Sequence, residues 1–345
     1  MKIAALQNMS TFTLLESPLR IASLIDGALT AGYGAVGLAD VNVTYGLVNF
    51  YETAKEAGIK PLLGMTLRIN GLVDTTNKYD LLLLAKTDEG YRNLLRLSSK
   101  VNLLTANGEN QQVLQLPALK QYLADLIVIT PANINSELRT LIETSTNLGG
   151  QLLRTLKQLV PADNLYLGVY ASKAQLNYIN YVQVASKQLG LSLVAVEDTR
   201  YLKPQDQFLR KSLQAIKAGQ QLVDPEQLAH VLGSHFLRST EALSAAYENM
   251  GLSGAVANTS KIATSCDAHV VFQSPILPKY QQNVAVNSQV YLQELAETGL
   301  KGRFTSKVPQ NYRQQLQYEL KVIHQMGFDD YFLIVWDVVN YCHSD

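Results

Sequence analysis

The chain has 345 residues, 47% of them hydrophobic, which suffices for one large domain or two medium-sized domains with packed cores. Its 29 basic and 29 acidic residues balance, so it lacks the basic surplus typical of a nucleic-acid-binding protein. The two cysteines, Cys266 and Cys342, are too far apart in sequence for a zinc ribbon or a disulfide framework. With no signal-peptide pattern and no apolar run of about 20 residues, the sequence predicts a cytoplasmic protein without a membrane partner.

Short apolar runs alternate with amphipathic stretches along the first part of the chain. The runs have the length and composition of strands, and the stretches between them have helical spacing, for example over 18–31, 45–57 and 88–99. The predicted strands are 3–6, 35–39, 61–67, 81–85, 126–130, 165–169 and 193–196.

Repeated strand–helix units of this kind predict a parallel sheet, and their number favours a closed barrel over an open sheet. In a parallel barrel, functional side chains lie at the carboxyl ends of the strands. A site is therefore expected at residues 6–10, 39–42, 65–66, 130–133, 168–170 and 197–200.

The character of the sequence changes beyond the predicted barrel. A stretch rich in Pro, Gln and Asn predicts a linker over 276–289. Two amphipathic helices are predicted at 290–304 and 312–326, followed by the apolar segment 331–336. Because the chain stops at Asp345 soon after this segment, we expect a domain that is truncated here.

Several segments resemble the bacterial DNA polymerase III alpha subunit, the C-family of replicative polymerases, in order along almost the whole chain. The quoted segments include two that are especially specific to that family: the run beginning at Leu83, and the segment from Tyr318 to Asp337. The resembling segments read GIKPLLG at 58–64, LLAK at 83–86, EGYRNLL at 89–95, LSS at 97–99, NT at 258–259 with Ile262, Ala263 and Cys266, LPKY at 277–280, YEL at 318–320, MGF at 326–328 and YFLIVWD at 331–337.

The resemblance implies an α/β fold: a PHP-type distorted (β/α)7 barrel, similar to a TIM barrel, followed by the mostly helical start of a polymerase palm. It implies a PHP domain over 1–275, with a barrel core at about 1–205 and a helical extension at 206–275, and a palm start over 290–345. The catalytic residues of nucleotide addition and the Mg²⁺ of the palm would lie outside this chain. The implied partners are the rest of the polymerase (palm, thumb and fingers), DNA through the whole protein, and a sliding clamp or a proofreading exonuclease.

Intact PHP barrels resemble metal-dependent phosphoesterases, whose strand ends carry His, Asp and Glu ligands. This chain departs from that pattern, and its five histidines, His230, His235, His269, His324 and His343, all follow the barrel strands. Two ligand positions are kept, Asp40 and Asp198. Histidines are replaced at five positions, by Gln7, Met9, Val41, Asp80 and Arg200. Glutamates are replaced at two, by Thr66 and Gly168.

These replacements predict a barrel without catalytic residues or bound metal that serves as a scaffold. The alternative is a metal-dependent 3′–5′ exonuclease or phosphoesterase, since three carboxylates could hold one Mg²⁺. Other hypotheses concern single residues. Asp198 and Arg200 are expected to form an ion pair, Asp40 could instead cap a helix, and His230 and His235 are expected at the surface or in packing. Four side chains, Lys203, Arg210, Lys211 and Lys217, could form a basic helix face that is either solvated or contacts DNA.

Overall fold

A computed structural model describes residues 2–106, 116–221, 235–272, 277–280 and 287–344. The chain forms two compact units, Met1–Val270 and Val271–Asp345. Parts of the predicted linker, residue 276 and residues 281–286, lie outside the described residues, and so does His230. In the described ranges, no helix is long and apolar enough to span a bilayer.

The described strands all belong to the first unit, and each predicted strand is present, two with the predicted bounds and the others with bounds shifted by a few residues. They are β1 (Ala4–Ala5), β2 (Gln7–Asn8), β3 (Ala35–Leu38), β4 (Lys60–Asn70), β5 (Lys78–Ala85), β6 (Leu126–Thr130), β7 (Leu165–Val169), β8 (Ser192–Ala195) and β9 (Asp198–Thr199).

Helices follow most strands and cover the outside of the sheet. In the first unit they are α1 (Ile21–Thr30), α2 (Leu47–Glu56), α3 (Asp88–Ala106), α4 (Leu116–Leu123), α5 (Glu137–Thr144), α6 (Thr146–Leu159), α7 (Leu176–Leu189), α8 (Gln207–Ala218), α9 (Thr240–Glu248) and α10 (Ser253–Ser265).

The strands curl into a distorted, TIM-like barrel. The main sheet has the order β1-β3-β4-β5-β6-β7-β8. Its first and last strands run on into β2 and β9, which pair with each other in parallel, Gln7 opposite Asp198. The pairing of β2 with β9 joins the two ends of the sheet at its carboxyl side. It therefore brings residues from the start and the end of the barrel sequence together at one mouth.

The expectation of an all-parallel sheet is wrong at β5, which pairs antiparallel with both β4 and β6. The strands β4 and β5 form a long hairpin that extends beyond both predicted runs. The extended ends contain polar residues, among them Arg68 and Asp80. The strands were predicted from apolar runs, so these ends were not included in the prediction. Arg68 and Asp80 are cross-strand partners in the hairpin.

The loop that closes this hairpin is held by one carboxylate from α5. Glu137 is 7% exposed, and its Oε1 accepts hydrogen bonds from the backbone N–H of Val73 (2.6 Å) and of Asp74 (3.0 Å). Its Oε2 accepts from the N–H of Leu72 at 2.8 Å. Three backbone donors that face no strand are thereby satisfied, which fixes the hairpin against α5.

Replacing Glu137 with alanine is therefore expected to lower the free energy of unfolding by about 2 kcal/mol, because three partly buried donors lose their acceptor. Urea denaturation would measure this change. The matched control is Glu143→Ala on the same helix, where the side chain is 64% exposed and pairs with Arg139. The control is expected to change stability little, and an equal loss in both variants would contradict the role given to Glu137.

The interior of the barrel is apolar and is closed at the end opposite the mouth by α10. Side chains from alternate positions of the strands, such as Leu82 and Leu84, share one buried cluster with Ile262 of α10 and with Cys266, which follows that helix. The Thr259 hydroxyl accepts a hydrogen bond from the N–H of Ala4 at 3.2 Å. The barrel is thus filled by side chains, as in other barrels of this size, and leaves its mouth as the polar end.

The second unit is helical, as expected. It contains α11 (Ser288–Gly302), α12 (Gln310–Gln325) and α13 (Asp329–Ser344). Asp330 of α13 accepts hydrogen bonds from the Ser288 hydroxyl at 2.5 Å and from the N–H of Tyr280 at 3.1 Å. The Tyr291 ring packs edge-on against Trp336, with 6.2 Å between the ring centroids. Polar and aromatic contacts together hold α11 against α13.

Candidate functional site at the barrel mouth

Asp40 lies two residues after the end of β3 and holds the first loop of the mouth. Its Oδ1 accepts hydrogen bonds from the N–H of Ser10 and from the Thr13 hydroxyl, both at 2.7 Å. Its Oδ2 accepts from the Ser10 hydroxyl, also at 2.7 Å. Burial raises the pKa of Asp40, while these hydrogen bonds favour the charged form. Asp40 therefore anchors the loop after β2 and is not a helix cap.

Two carboxylates at the mouth are each held by an arginine in a two-point arrangement. The predicted pairing of Asp198 with Arg200 is present: Nε and Nη2 of Arg200 donate to the Asp198 oxygens at 2.8 and 3.0 Å. The two residues stand two positions apart on an extended segment, so their side chains share one face. Asp80 is held in the same way by Arg68, whose Nε and Nη2 donate at 2.7 and 3.1 Å.

Glu16 joins these two ion pairs into one network, which we call the mouth network: Asp80, Arg68, Glu16, Arg200 and Asp198. Nη1 of Arg68 donates to Oε1 of Glu16, and Nη1 of Arg200 donates to Oε2, both at 3.0 Å. The Lys217 amine adds a third contact, to Oε1 at 2.6 Å. Charges therefore alternate in sign along the network.

The electrostatics favour the ionised form of two carboxylates of the network, Glu16 and Asp198, whereas burial raises the pKa of Asp80 more than Arg68 lowers it. Burial raises the pKa of Glu16, but Arg68, Lys217 and Arg200 together outweigh burial and lower that pKa to about 2. Burial likewise opposes ionisation of Asp198, and Arg200 leads the positive groups that hold the pKa of Asp198 below its usual range. Both carboxylates are thus charged at neutral pH.

Neither Glu16 nor Arg68 was among the candidates from the sequence. Glu16 lies in the loop between β2 and α1, at the carboxyl end of a strand where functional side chains are expected. Its position could therefore have identified Glu16 as a candidate site residue. Arg68 gave no such signal, because it lies on a strand that continues beyond its apolar run.

Of the two places expected for His235, the surface or a packed position, the structure shows the packed one, and it lies at this site. It is 8% exposed, and its Nδ1 lies 2.8 Å from the backbone carbonyl oxygen of Asp198 and 3.6 Å from Oδ2 of that residue. Burial lowers the pKa of His235 more than the nearby Asp198 raises it. The neutral ring therefore packs against Asp198 as a donor to its carbonyl.

The remaining candidate positions carry uncharged groups. Nε2 of Gln7 donates to the Thr66 hydroxyl at 3.3 Å, and that hydroxyl donates to the carbonyl of Ala39 at 2.8 Å. Met9 is fully buried, and Val41 pairs with Thr66 in an isolated bridge between their backbones. The structure thus brings Gln7, Thr66 and Val41 together without a charged group, and Oε1 of Gln7 is buried there with no hydrogen-bond partner among the described residues.

Gly168 is enclosed by the backbone of the neighbouring strand. A Cβ atom added to it would lie 2.4 Å from the carbonyl oxygen of Thr130, far inside a van der Waals contact. This position of β7 therefore has no room for a side chain of any kind in the present backbone.

The donor set at the mouth does not fit a cluster of metal ions. Each oxygen of Asp40, Asp80, Glu16 and Asp198 already accepts a hydrogen bond from a guanidinium, a hydroxyl, an amide or an amine. In the part of the chain that the structure describes, no group of three or more His, Cys, Asp or Glu side chains could hold a metal ion. A guanidinium paired with a carboxylate occupies the position a cation would take.

Two family models match the chain. The PHP domain matches residues 6–172, which include most of the barrel. The bacterial DNA polymerase III alpha NTPase domain matches residues 290–345, which lie in the second unit. Among solved structures, an amidohydrolase from Chromobacterium violaceum is similar over 57% of this chain and 87% of its own, with 13% identity and a TM-score of 0.40.

Curated relatives match almost the whole chain. The DNA polymerase III subunit alpha of Halalkalibacterium halodurans is 32% identical over 97% of this chain, and that of Bacillus subtilis is 30% identical over 100% of it. The chain spans 29% and 30% of the length of these two relatives. The chain therefore matches a PHP domain and a bacterial DNA polymerase III alpha domain in succession, and it is similar over almost its whole length to bacterial DNA polymerase III alpha subunits.

Proposed function

We propose that this chain is part of a replicative DNA-directed DNA polymerase, in which its barrel is a structural domain that does not hydrolyse phosphoesters. The first half of the proposal is supported by relatives named DNA polymerase III subunit alpha, which match the chain from end to end. Nucleotide addition, and the Mg²⁺ that it needs, would belong to the part of those proteins that lies beyond this chain.

The second half of the proposal rests on one observation, the mouth network. In a metal-dependent phosphoesterase, neutral imidazoles and carboxylates hold the metals, and the metals activate a water molecule. Here Arg68 and Arg200 neutralise the carboxylates instead. An ion-pair network of this kind stabilises a folded mouth and leaves no open coordination position for a water molecule.

The helices of the second unit support a role within a larger protein. Side chains on α13 are apolar and open to solvent, among them Phe332 at 43%, Val335 at 44% and Val339 at 50% exposure. Exposed apolar side chains on one helix are typical of a surface that another domain covers. The rest of the polymerase is the proposed partner of this helix.

Metal content tests the structural role of the barrel. We expect the purified chain, dialysed against trace Zn²⁺ and Mn²⁺, to hold less than one metal ion per chain by elemental analysis. We also expect no Mn²⁺-dependent hydrolysis of bis(p-nitrophenyl) phosphate, because no described group offers an open metal site.

Two or three bound ions per chain would contradict this proposal. So would Mn²⁺-dependent hydrolysis that is lost in both Asp40→Asn and Asp198→Asn, which would instead support a metal-dependent exonuclease or phosphoesterase. Glu89→Gln serves as the matched control, since that carboxylate pairs with Arg92 and Arg96 on the surface of α3, away from the mouth. It is expected to leave metal content and hydrolysis unchanged.

A further inference from the structure

The loop between β2 and α1 turns its polar side chains towards the barrel and is held there at several points. The hydroxyls of Ser10 and Thr13 both donate to Asp40 at 2.7 Å, and Ser10 is fully buried while Thr13 is 4% exposed. The buried Ser17 hydroxyl lies 2.9 Å from the carbonyl oxygen of Arg200. The residues between these anchors are therefore fixed in one arrangement.

Three apolar side chains of this loop, and one from the segment between β3 and α2, are open to solvent. Leu14 is 77% exposed, Tyr45 67%, Leu15 38% and Phe12 37%. The rings of Phe12 and Tyr45 pack edge-on with 6.4 Å between their centroids, which joins the two segments. We call these four residues, Phe12, Leu14, Leu15 and Tyr45, the rim patch. None of its side chains carries a charge.

The backbone of Leu15 indicates that the fold itself does not require an apolar side chain at the tip of this loop. Its φ is +57°, in the left-handed region that a bulky side chain rarely adopts and that glycine or asparagine adopts more readily. Single exposed apolar side chains are common on protein surfaces. A group of four, one of them on a strained backbone, is instead typical of a surface that another domain covers.

We propose that the rim patch docks against an uncharged, apolar surface on another domain of the same polypeptide. This inference rests on the proposed function, in which the chain is part of a larger polymerase. The chain spans 29% and 30% of the length of two relatives, so such proteins contain further domains that could supply this surface. Nucleic acid does not suit the patch, because four uncharged side chains cannot neutralise phosphates.

The size of the rim patch favours a tethered domain over a separate molecule. A stable complex between separate proteins needs roughly 800 Å² from each partner. Even an aromatic side chain offers only about 150–250 Å² when it is fully buried, and the four side chains of the patch are already partly covered. A domain on the same polypeptide is held close by the chain that joins it, so a smaller contact suffices.

Hydrogen exchange tests this docking by comparing the 345-residue chain with the full-length polymerase polypeptide. The amides of Leu14 and Leu15 are expected to exchange at least about tenfold more slowly in the full-length polypeptide, because a covering domain shields them from water. Leu14→Asp should remove this protection, since docking would bury an unpaired carboxylate. In the 345-residue chain the same substitution should leave Tm unchanged, because Leu14 is largely exposed.

Two further variants complete the test. Leu15→Asn suits the backbone at φ +57° and removes an apolar contact, so it should reduce the protection while the loop keeps its shape. It tests the proposal should the full-length Leu14→Asp variant not fold. Val184→Asp, at a 55% exposed position on α7, is the matched control and should leave the protection of Leu14 and Leu15 unchanged.

Equal exchange at Leu14 and Leu15 in the two polypeptides would overturn the docking proposal, and so would protection that survives both rim-patch substitutions. Protection in the 345-residue chain that appears together with dimers in sedimentation equilibrium would also overturn it, since a second copy would then be the occupant. Primer extension by the same full-length samples separates the two proposals. Without extension the polymerase function fails, whereas extension without protection refutes the docking alone.

Discussion

Replacing Glu16 with glutamine is expected to lower the free energy of unfolding by about 3 kcal/mol at pH 7, the cost of breaking a largely buried ion pair. The carboxylate side chain is 16% exposed and contacts Arg68, Arg200 and Lys217. Its removal leaves these cations close together without the anion that separates them. Urea denaturation of both chains at pH 7 would measure the difference.

The same substitution gives an expected dependence on pH. The pKa of Glu16 lies at about 2 in the folded chain, below its ordinary value of 4.5. A lowered carboxyl pKa contributes stability that is complete above the unfolded pKa and is lost as the pH falls towards the folded pKa. The two chains should therefore differ fully above about pH 5 and converge as the pH falls from about 4.5 towards 2.

Glu89→Gln is the matched control for Glu16→Gln, because Glu89 also contacts two arginines but lies on the surface of α3. Solvent screens such exposed pairs, so this variant is expected to unfold almost as the unsubstituted chain does. If Glu16→Gln behaved like Glu89→Gln at pH 7, the mouth network would not stabilise the barrel.

Replacing Gly168 with alanine is expected to destabilise the barrel by about 3 kcal/mol, through overpacking between two central strands. The added Cβ would meet the carbonyl oxygen of Thr130 at 2.4 Å. Strand β7 lies between β6 and β8, so the clash cannot be relieved by movement into solvent. Thermal unfolding followed by circular dichroism would record the loss as a lower Tm.

A second glycine supplies a control of opposite sign. Gly150 lies within α6, and a Cβ atom added there would meet its nearest neighbour, Arg154, at 3.5 Å, an ordinary contact. Gly150→Ala is therefore expected to stabilise the chain by up to about 1 kcal/mol, since alanine favours a helix interior. A loss of stability in Gly150→Ala, or none in Gly168→Ala, would contradict the contacts described for these positions.

The lack of space at Gly168 also bears on whether a metal ligand could be restored at this position. The resemblance places a glutamate of intact PHP barrels at this position, and the present backbone leaves no space for one. Gly168→Glu is expected to destabilise the chain at least as much as alanine. Reintroducing single ligands therefore would not rebuild a metal site without movement of β6 against β7.

The sequence by itself determined the features that depend on residues close to one another along the chain. The strand at Leu126–Thr130 and the strand at Leu165–Val169 have the bounds that their apolar runs predicted. The pairing of Asp198 with Arg200 was expected because the resemblance places both residues in one site, where a guanidinium satisfies a carboxylate. The family followed from specific local segments, such as residues 83–99, because these motifs are contiguous in the chain.

The direction of β5 and most of the mouth network were decided by the tertiary structure. Arg200 and Glu16 meet although 184 positions separate them, and such contacts leave no local pattern in a single sequence. His235 and Arg210 appeared as one lone histidine and one member of a basic helix face until the fold buried both beside Asp198. Burial changes the free energy of a charge far more than sequence position does. The chemistry of this mouth therefore depends on which side chains the barrel encloses together.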